Sequence, residues 1–274
     1  MHCYYEKQEV DGVIRTENLT FSYDNKKDIF NGISFHLKKG ESMAVLGANG
    51  VGKTTMMRCM MGFLKLKEGD VWIDGMNTKT MSSSRFWQNI SYVPQAKNLV
   101  FGYSVLNMVV MGLSQKVKFG FTPSKEDYEK AYALLKEMGL DDLANRSCNS
   151  ISGGQLQLVL IARALIKEPD ILIMDEPESN LDMKNQLKVL EIMKKISKER
   201  NVTVIINTHY PEHALRYTDK TLIVGRNSYV FDESHKAITK ENIHRYFDVE
   251  ASIYDVEVGE ERYKGILPIA IAGV

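Results

Sequence analysis

The sequence predicts an α/β fold: a mostly parallel sheet, an antiparallel β edge piece near the start, and a helical subdomain inserted in the middle. Three observations predict it. Short apolar runs alternate with helical periodicities through most of the chain, the pattern of strands joined by covering helices. One of those runs, residues 42–46, feeds a glycine-rich loop that opens a helix. Between about residues 96 and 166 the β signal vanishes and 3.6-residue periodicity takes over.

Taken in order, residues 13–23 and 29–37 read as two strands joined by the polar turn Asp24-Asn25-Lys26-Lys27, the antiparallel edge piece. Residues 42–46 are a short buried strand, and the helix after the glycine-rich loop ends near Gly62. Further strands fall at 71–73, 90–93, 171–174, 202–207 and 221–224. In the helical block, Ser124 followed three residues later by Asp127 is a capped helix start. Tyr128, Ala131, Leu135 and Met138 then share one face until Gly139 stops the helix. The apolar tail 266–274 fits a last strand, a packing segment or a contact with a second copy.

The chain has 274 residues, with 35 Lys+Arg against 35 Asp+Glu, and that balance offers no basic footprint for nucleic acid. Its length suits one large domain with a subdomain rather than two independent enzymes. Cys3, Cys59 and Cys148 are widely separated and lack metal-ligand spacing, so they read as reduced thiols. The first residues carry no apolar secretory core, and no uncharged apolar stretch approaches the roughly 18 residues that span a bilayer. Any work at a membrane therefore needs another chain to do the spanning.

The strongest chemical signal is Gly47-Ala48-Asn49-Gly50-Val51-Gly52-Lys53-Thr54, a complete G-x-x-x-x-G-K-[ST] loop between a strand and a helix. Its glycines let backbone amides wrap phosphates, Lys53 reaches the terminal phosphates, and the Thr54 hydroxyl suits Mg²⁺. This is the mark of a P-loop NTPase core. A second element follows the run Ile171-Leu172-Ile173-Met174, which delivers Asp175 and Glu176 to the carboxyl end of a strand. Asp175 there suits Mg²⁺ through water, and Glu176 suits an attacking water. Asn25-Lys26-Lys27-Asp28 spells a guanine-reading tetrad, yet it lies upstream of the phosphate loop and reads better as a solvated turn. Met56, Met57, Met60 and Met61 on the helix after the loop read as adaptable core filling rather than a soft-metal site.

Ile151-Ser152-Gly153-Gly154-Gln155 opens a second, strongly apolar helix. Two glycines at a helix start make another anion cradle, far from the first in sequence. One nucleotide needs no second cradle there, so the economical reading is that it serves a nucleotide held by another copy.

With these motifs on the page the chain resembles the ATP-binding cassette proteins that drive membrane transport. Gly47 to Thr54 is similar to the Walker A loop, Gln95 to the Q-loop, Ile151 to Gln155 to the signature, and Ile171 to Glu176 to the Walker B strand. Ser179-Asn180-Leu181-Asp182 resembles the D-loop and His209 the switch histidine. The resemblance implies ATP and Mg²⁺ as cofactors and a head-to-tail dimer in which each ATP lies between one copy's Walker A loop and the other's signature. It implies hydrolytic roles for Glu176, His209, Gln95 and Lys53, and Mg²⁺ contacts from Thr54, Gln95 and Asp175. ATP contacts are implied for Tyr23, which would stack on adenine, for Gly47, Asn49, Gly50, Gly52, Lys53, Thr54 and Thr55, and for Ser152, Gly153, Gly154, Gln155 and Asp182. By the same resemblance, 1–95 and 167–235 form the nucleotide-binding core, 96–166 the helical signature subdomain, and 236–274 a C-terminal extension.

Two departures stand out. Leu158 occupies the place of a common arginine after the signature, and Glu178 the place of a common threonine after Asp-Glu-Pro; neither is expected to touch the hydrolytic residues. Residues 104–112, Phe119-Gly120, 123–127, 238–243 and 247–249 are similar to the ATPases of iron-chelate, haem and cobalamin importers. Gln157-Leu158 resembles a branch that imports molybdate-type oxyanions. The resemblance thus implies an importer motor at the cytoplasmic face of the cell membrane, iron-siderophore type cargo, membrane permease partners received at 99–111, and a substrate-binding protein acting indirectly. The rival class is a soluble ATPase scaffold of iron–sulfur assembly.

Overall fold

The computed structural model describes residues 13–24, 26–95, 102–116 and 122–273. Cys3, Asn25, Phe119, Gly120 and residues 99–101 of the expected permease-facing stretch lie outside them. In chain order the first strands are β1 (Ile14–Phe21), β2 (Phe30–Leu37) and β3 (Ser42–Leu46), followed by α1 (Lys53–Met60). Next come β4 (Glu68–Ile73), β5 (Met76–Asn77), α2 (Ser83–Asn89) and β6 (Ile90–Val93). The helical block holds α3 (Val105–Val110), α4 (Lys125–Glu137) and α5 (Gly153–Leu165). The chain then alternates through β7 (Ile171–Asp175), α6 (Met183–Glu199), β8 (Thr203–Asn207), α7 (Pro211–Tyr217), β9 (Lys220–Val224) and β10 (Tyr229–Glu233). It closes with α8 (Ser234–Ala237), α9 (Lys240–Phe247), β11 (Val249–Val258) and β12 (Glu261–Ile271).

The main sheet runs β10-β9-β3-β8-β7-β6, parallel except for β10, which pairs antiparallel with β9. Its inner strands are short continuous apolar runs because both faces are covered: every residue of β3 and β8 is buried. The edge piece is a separate antiparallel sheet in the order β2-β1-β4-β5. Two apolar clusters fill the space between layers. One joins β1, β2 and α1 to one face of the main sheet, and takes in Met56, Met57, Met60 and Met61, all buried as core filling. The other joins α3, α4, α5 and α6 to the opposite face.

Helix α4 starts with the expected capping box, Ser124 and Asp127 exchanging bonds with each other's backbone. Helix α5 is buried nearly all round, from Leu156 through Ala162 and again at Ala164 and Leu165, which suits a helix enclosed by neighbours. Leu158 is part of that core, 2% exposed. Gly112 allows its segment to lie on α5, since a Cβ there would meet the Arg163 carbonyl at 2.1 Å.

The tail forms a hairpin: β11 and β12 pair antiparallel, with Ile253 opposite Ile266. Ala251, Ile253 and Ile266 face the second cluster, and the Arg216 guanidinium of α7 lies 4.6 Å above the Tyr263 ring. Val258, Leu267, Ile269 and Ile271 are exposed. Among the described residues no helix is long and apolar enough to cross a membrane.

Candidate functional site

The parallel order places the carboxyl ends of β3, β7 and β8 side by side, the edge where α/β sheets gather ligands. From β3 the chain enters the loop at Gly47 (φ 142°), Gly50 (φ 78°) and Gly52 (φ 101°), backbone that side-chain-bearing residues rarely adopt. At Gly47 a Cβ would also sit 2.2 Å from the Val224 carbonyl, so the turn and the packing both need glycine. Gly52 is the N-cap of α1 and offers no side-chain cap, leaving the first amides of the helix to an outside acceptor.

Lys53 begins α1 and is 5% exposed. Its ammonium donates to the Gly47 carbonyl at 2.7 Å and the Ala48 carbonyl at 3.1 Å. Burial holds it below the ordinary lysine range, partly offset by the Glu176 and Asp175 carboxylates. Thr54 Oγ1 donates to Asp175 Oδ1 at 3.3 Å, tying the loop to β7 across the sheet. Asn49 and Gly50 are exposed at the loop tip, and Tyr23, 64% exposed, shares a 3.2 Å hydrogen bond with Thr55. Tyr23 lies past the end of β1, so the strand is shorter than expected there, and it packs edge-on to Phe21.

Two residues that the sequence did not single out complete the cluster. Asn207, at the end of β8, is directly opposite Asp175 in the register, and its Nδ2 donates to Asp175 Oδ1 at 2.7 Å. Tyr92 of β6 donates its hydroxyl to Asp175 Oδ2 at 3.3 Å. Burial first, then the Asp175 charge, pushes that phenol up to about 12, so it stays a donor. The only available signal was positional, since both sit at or near carboxyl ends of strands flanking Asp175.

Past Asp175 the backbone turns through Glu176 at φ 47°, a left-handed conformation that a glutamate holds only where surroundings impose it. Here the Glu176 amide donates to the Asn207 carbonyl at 3.0 Å, and Ser179 Oγ donates to Glu176 Oε2 at 3.1 Å. Glu176 Oε1 lies 2.8 Å from His209 Nε2. A carboxylate oxygen accepts, so the ring nitrogen facing it carries the proton. His209 follows β8 in an exposed loop, and the pair remains open to solvent at the sheet edge.

The remaining expected residues lie elsewhere. Gln95 is half-buried, two residues beyond β6. Ser152 caps α5: it accepts from the Gln155 amide at 3.2 Å, and its own amide donates to Gln155 Oε1 at 3.0 Å. Ser152 and Gly153 are exposed, while Gly154 is buried against Asn185, where a Cβ would meet the side chain at 2.5 Å. Asn185 is in turn held by Asp182, the N-cap of α6, through bonds of 2.8 and 2.9 Å. Within one chain the structure therefore joins Lys53, Thr54, Asp175, Glu176 and His209 in one neighbourhood, and Gly154 with Asp182 in another.

The first neighbourhood fits a magnesium nucleotide. Thr54 and Asp175 supply hard oxygen donors of the kind Mg²⁺ takes. The Asn207 Oδ1 atom beside them is buried without a hydrogen-bond partner among the described residues. The glycine loop and the uncapped start of α1 suit phosphate oxygens.

Comparison with known proteins agrees with that fit. The family model described as ABC transporter matches residues 30–179. An uncharacterized ABC transporter ATP-binding protein of Methanocaldococcus jannaschii is 36% identical over 244 residues, 89% of this chain and 94% of its own. A molybdate import ATP-binding protein of Haemophilus influenzae is 33% identical over 256 residues, covering 93% of this chain and 96% of its own. A solved structure described as a metal-chelate type ABC transporter in an inward-facing conformation superposes with a TM-score of 0.85 at 32% identity, covering 94% of this chain and 98% of the matched one. The glycine loop, the paired carboxylates at the end of β7 and these likenesses together make the chain a member of the ABC transporter family, one of its ATP-hydrolysing cassettes.

Proposed function

We propose that this cassette is the motor subunit of an importer, hydrolysing ATP at a dimer of two copies to drive uptake through separate membrane permease subunits. The observation that carries the chemistry is the 2.8 Å contact between Glu176 and His209, next to the cluster of Lys53, Thr54 and Asp175. Glu176 accepts a proton from the attacking water, and His209 holds that carboxylate and the water in line with the γ-phosphate. Lys53 and the loop amides take up the negative charge that develops on the transferred phosphoryl group. Thr54, Asp175 and Gln95 hold Mg²⁺, which neutralises phosphate charge when bound. Asn49, Gly50, Gly52 and Thr55 line the phosphates, and Tyr23 stacks on the base.

The exposed start of α5, Ser152 to Gln155, together with Asp182, serves the nucleotide of the second copy, so hydrolysis releases the dimer. The helical segment 96–166 is the lever that passes this motion on. A groove of about 410 Å³, lined by Trp87, Pro94, Met111, Gly112, Arg163 and Lys167, is the seat for a permease helix, at the end of the 99–111 stretch. This reading makes the protein peripheral to the cytoplasmic face of the membrane. The cargo is a metal chelate, such as an iron-siderophore, supported by the metal-chelate type structural relative. The molybdate import relative supports a second reading, an oxyanion.

The test is complementation of cells lacking this chain with wild type or Glu176→Gln, reading uptake of labelled iron chelate and molybdate alongside ATP turnover by the purified proteins. Glu176→Gln is expected to bind ATP, to lose at least about 100-fold in turnover, and to restore no uptake. Full turnover by Glu176→Gln overturns the catalytic assignment, and normal uptake of both cargoes in the deletion strain overturns both cargo readings.

A further inference from the structure

We propose that Glu178 is a positioning residue for hydrolysis, holding the loop that carries His209 through the hydroxyl of Thr208. The proposal rests on the catalytic reading of Glu176 and His209 given above.

Glu178 is 1% exposed, and so is Thr208. A carboxylate out of water is expensive unless its oxygens are bonded, so its presence in this turn needs a reason. Stability alone does not supply one. Glu178 Oε2 is buried with no hydrogen-bond partner among the described residues, and so is Nδ1 of the neighbouring His213, 3.9 Å from Oε1. Native proteins rarely keep two such atoms side by side without a use for the residue that creates them.

The hydrogen bond that the Glu178 side chain makes leads to the hydrolytic pair. Thr208 Oγ1 donates to Glu178 Oε1 in a very short hydrogen bond. The same hydroxyl accepts from the Tyr210 amide at 3.2 Å. The carboxylate thus fixes the residue before His209 and, through it, the residue after. Tyr210 continues the tie, because its carbonyl accepts from the His213 amide at 3.1 Å as α7 begins. On the other side, the Glu178 carbonyl accepts from Gln186 Nε2 of α6 at 3.3 Å and from the Leu181 amide at 3.3 Å. Between Glu176 and Glu178 the chain bends through the left-handed Glu176. One buried side chain therefore joins the turn bearing the general base to the loop bearing its histidine partner, without touching either reacting side chain. Glu178, expected not to touch the hydrolytic residues, nonetheless borders both, two residues from Glu176 in the chain and bonded to the neighbour of His209.

The tie acts through His209, and that separates it from a role in folding. The double variant Glu178→Met, Thr208→Val removes both polar partners and leaves no buried charge stranded, the exchange that proteins tolerate best. Using the full chain and single-turnover ATP hydrolysis, the double variant is expected to lose about tenfold in the hydrolysis step. Binding of a fluorescent ATP analogue should stay within about twofold, since ground-state binding is not what the tie serves. Thr208→Ser, which keeps the hydroxyl, should retain the wild-type rate. In a His209→Ala background the double change should produce no further loss, because residues acting as one unit are not additive. A folded double variant with the wild-type rate overturns the proposal, and so does an equal fall in both backgrounds. Should the double variant not fold, Thr208→Val alone carries the same comparison. Glu176→Gln, run in parallel, separates the two levels: if it hydrolyses normally the catalytic reading fails, whereas if it is inactive and the Glu178 variants are normal only this proposal fails.

Discussion

Replacing Lys53 by Met should move stability and nucleotide affinity independently. In the folded chain the ammonium is 5% exposed and bonded to two carbonyls at 2.7 and 3.1 Å. Hydrogen bonds to a charged group contribute roughly 1.5–3 kcal/mol each, and removing an ion from water costs several kcal/mol. The lowered lysine titration shows that burial outweighs the favourable carboxylates Glu176 and Asp175. These terms nearly cancel, so a methionine of similar length should change stability by no more than about 1 kcal/mol, a Tm shift within roughly 4 °C for a chain of this size. Toward ATP nothing cancels, because the thioether forms no charged bond to phosphate. Losing about 1.5–3 kcal/mol there weakens binding by roughly 10- to 150-fold. Thermal unfolding and calorimetric titration with ATP read the two effects separately. A destabilisation above about 3 kcal/mol, or an ATP affinity unchanged within twofold, refutes the reasoning.

Further outcomes follow from other sites. Gly47→Ala places a methyl 2.2 Å from the Val224 carbonyl in a backbone at φ 142°, so the loop must shift; ATP affinity should fall at least about tenfold while the circular dichroism spectrum is kept. Burial pushes the Cys59 thiol up to about 12 and raises Cys148 as well, so alkylation at pH 8, mapped by mass spectrometry, should spare both until the chain is unfolded. Burial also lowers Lys167 to about 8 from an ordinary 10.5. The folded state then sheds this proton before the unfolded state does, so the Lys167 contribution to stability rises with pH between about 8 and 10.5. It should be read as the difference between wild type and Lys167→Met in denaturant melts, since Cys59 and Tyr92, both raised, pull the other way above pH 9. Equal pH profiles for the two proteins would sink the assignment.

What was legible in the sequence was what depends on short-range pattern. The fully buried runs of β3, β7 and β8 carry no polar interruption before their ends, and the loop from Gly47 to Thr54 announces itself by glycine spacing. The capped start at Ser124 was readable because a capping box is a local exchange three residues long, whereas the start at Ser152 was read from its two glycines and its capping box was not. The hairpin of β11 and β12 was not, since Glu250, Asp255, Glu257 and Lys264 break the apolar alternation of a ribbon that is mostly exposed. Strand β10 has an apolar run of only three residues, Tyr229-Val230-Phe231, none of them fully buried, and α2 is a short helix with Phe86 as its one buried residue. Within the site, Asn207 and Tyr92 escaped notice because their value comes from neighbouring strands, which only the sheet order supplies. Glu178 escaped because its partner Thr208 is brought to it by the pairing of β7 with β8.

That pairing also governs which kinds of genetic change the protein can absorb. Asp175 and Asn207 meet because each ends a five-residue strand in a fixed register. A pleated strand alternates sides at every residue, so gaining one codon within β7 ahead of Met174 would swing the carboxylate away and bring the Met174 thioether into its position. A hard oxygen would be replaced by a soft sulfur without any substitution at Asp175 itself. Within these two strands a change of length should therefore be more damaging than most single replacements. A library scored separately for single-codon insertions and for substitutions should show β7 and β8 as sharp gaps in insertion tolerance, at positions where conservative apolar exchanges survive.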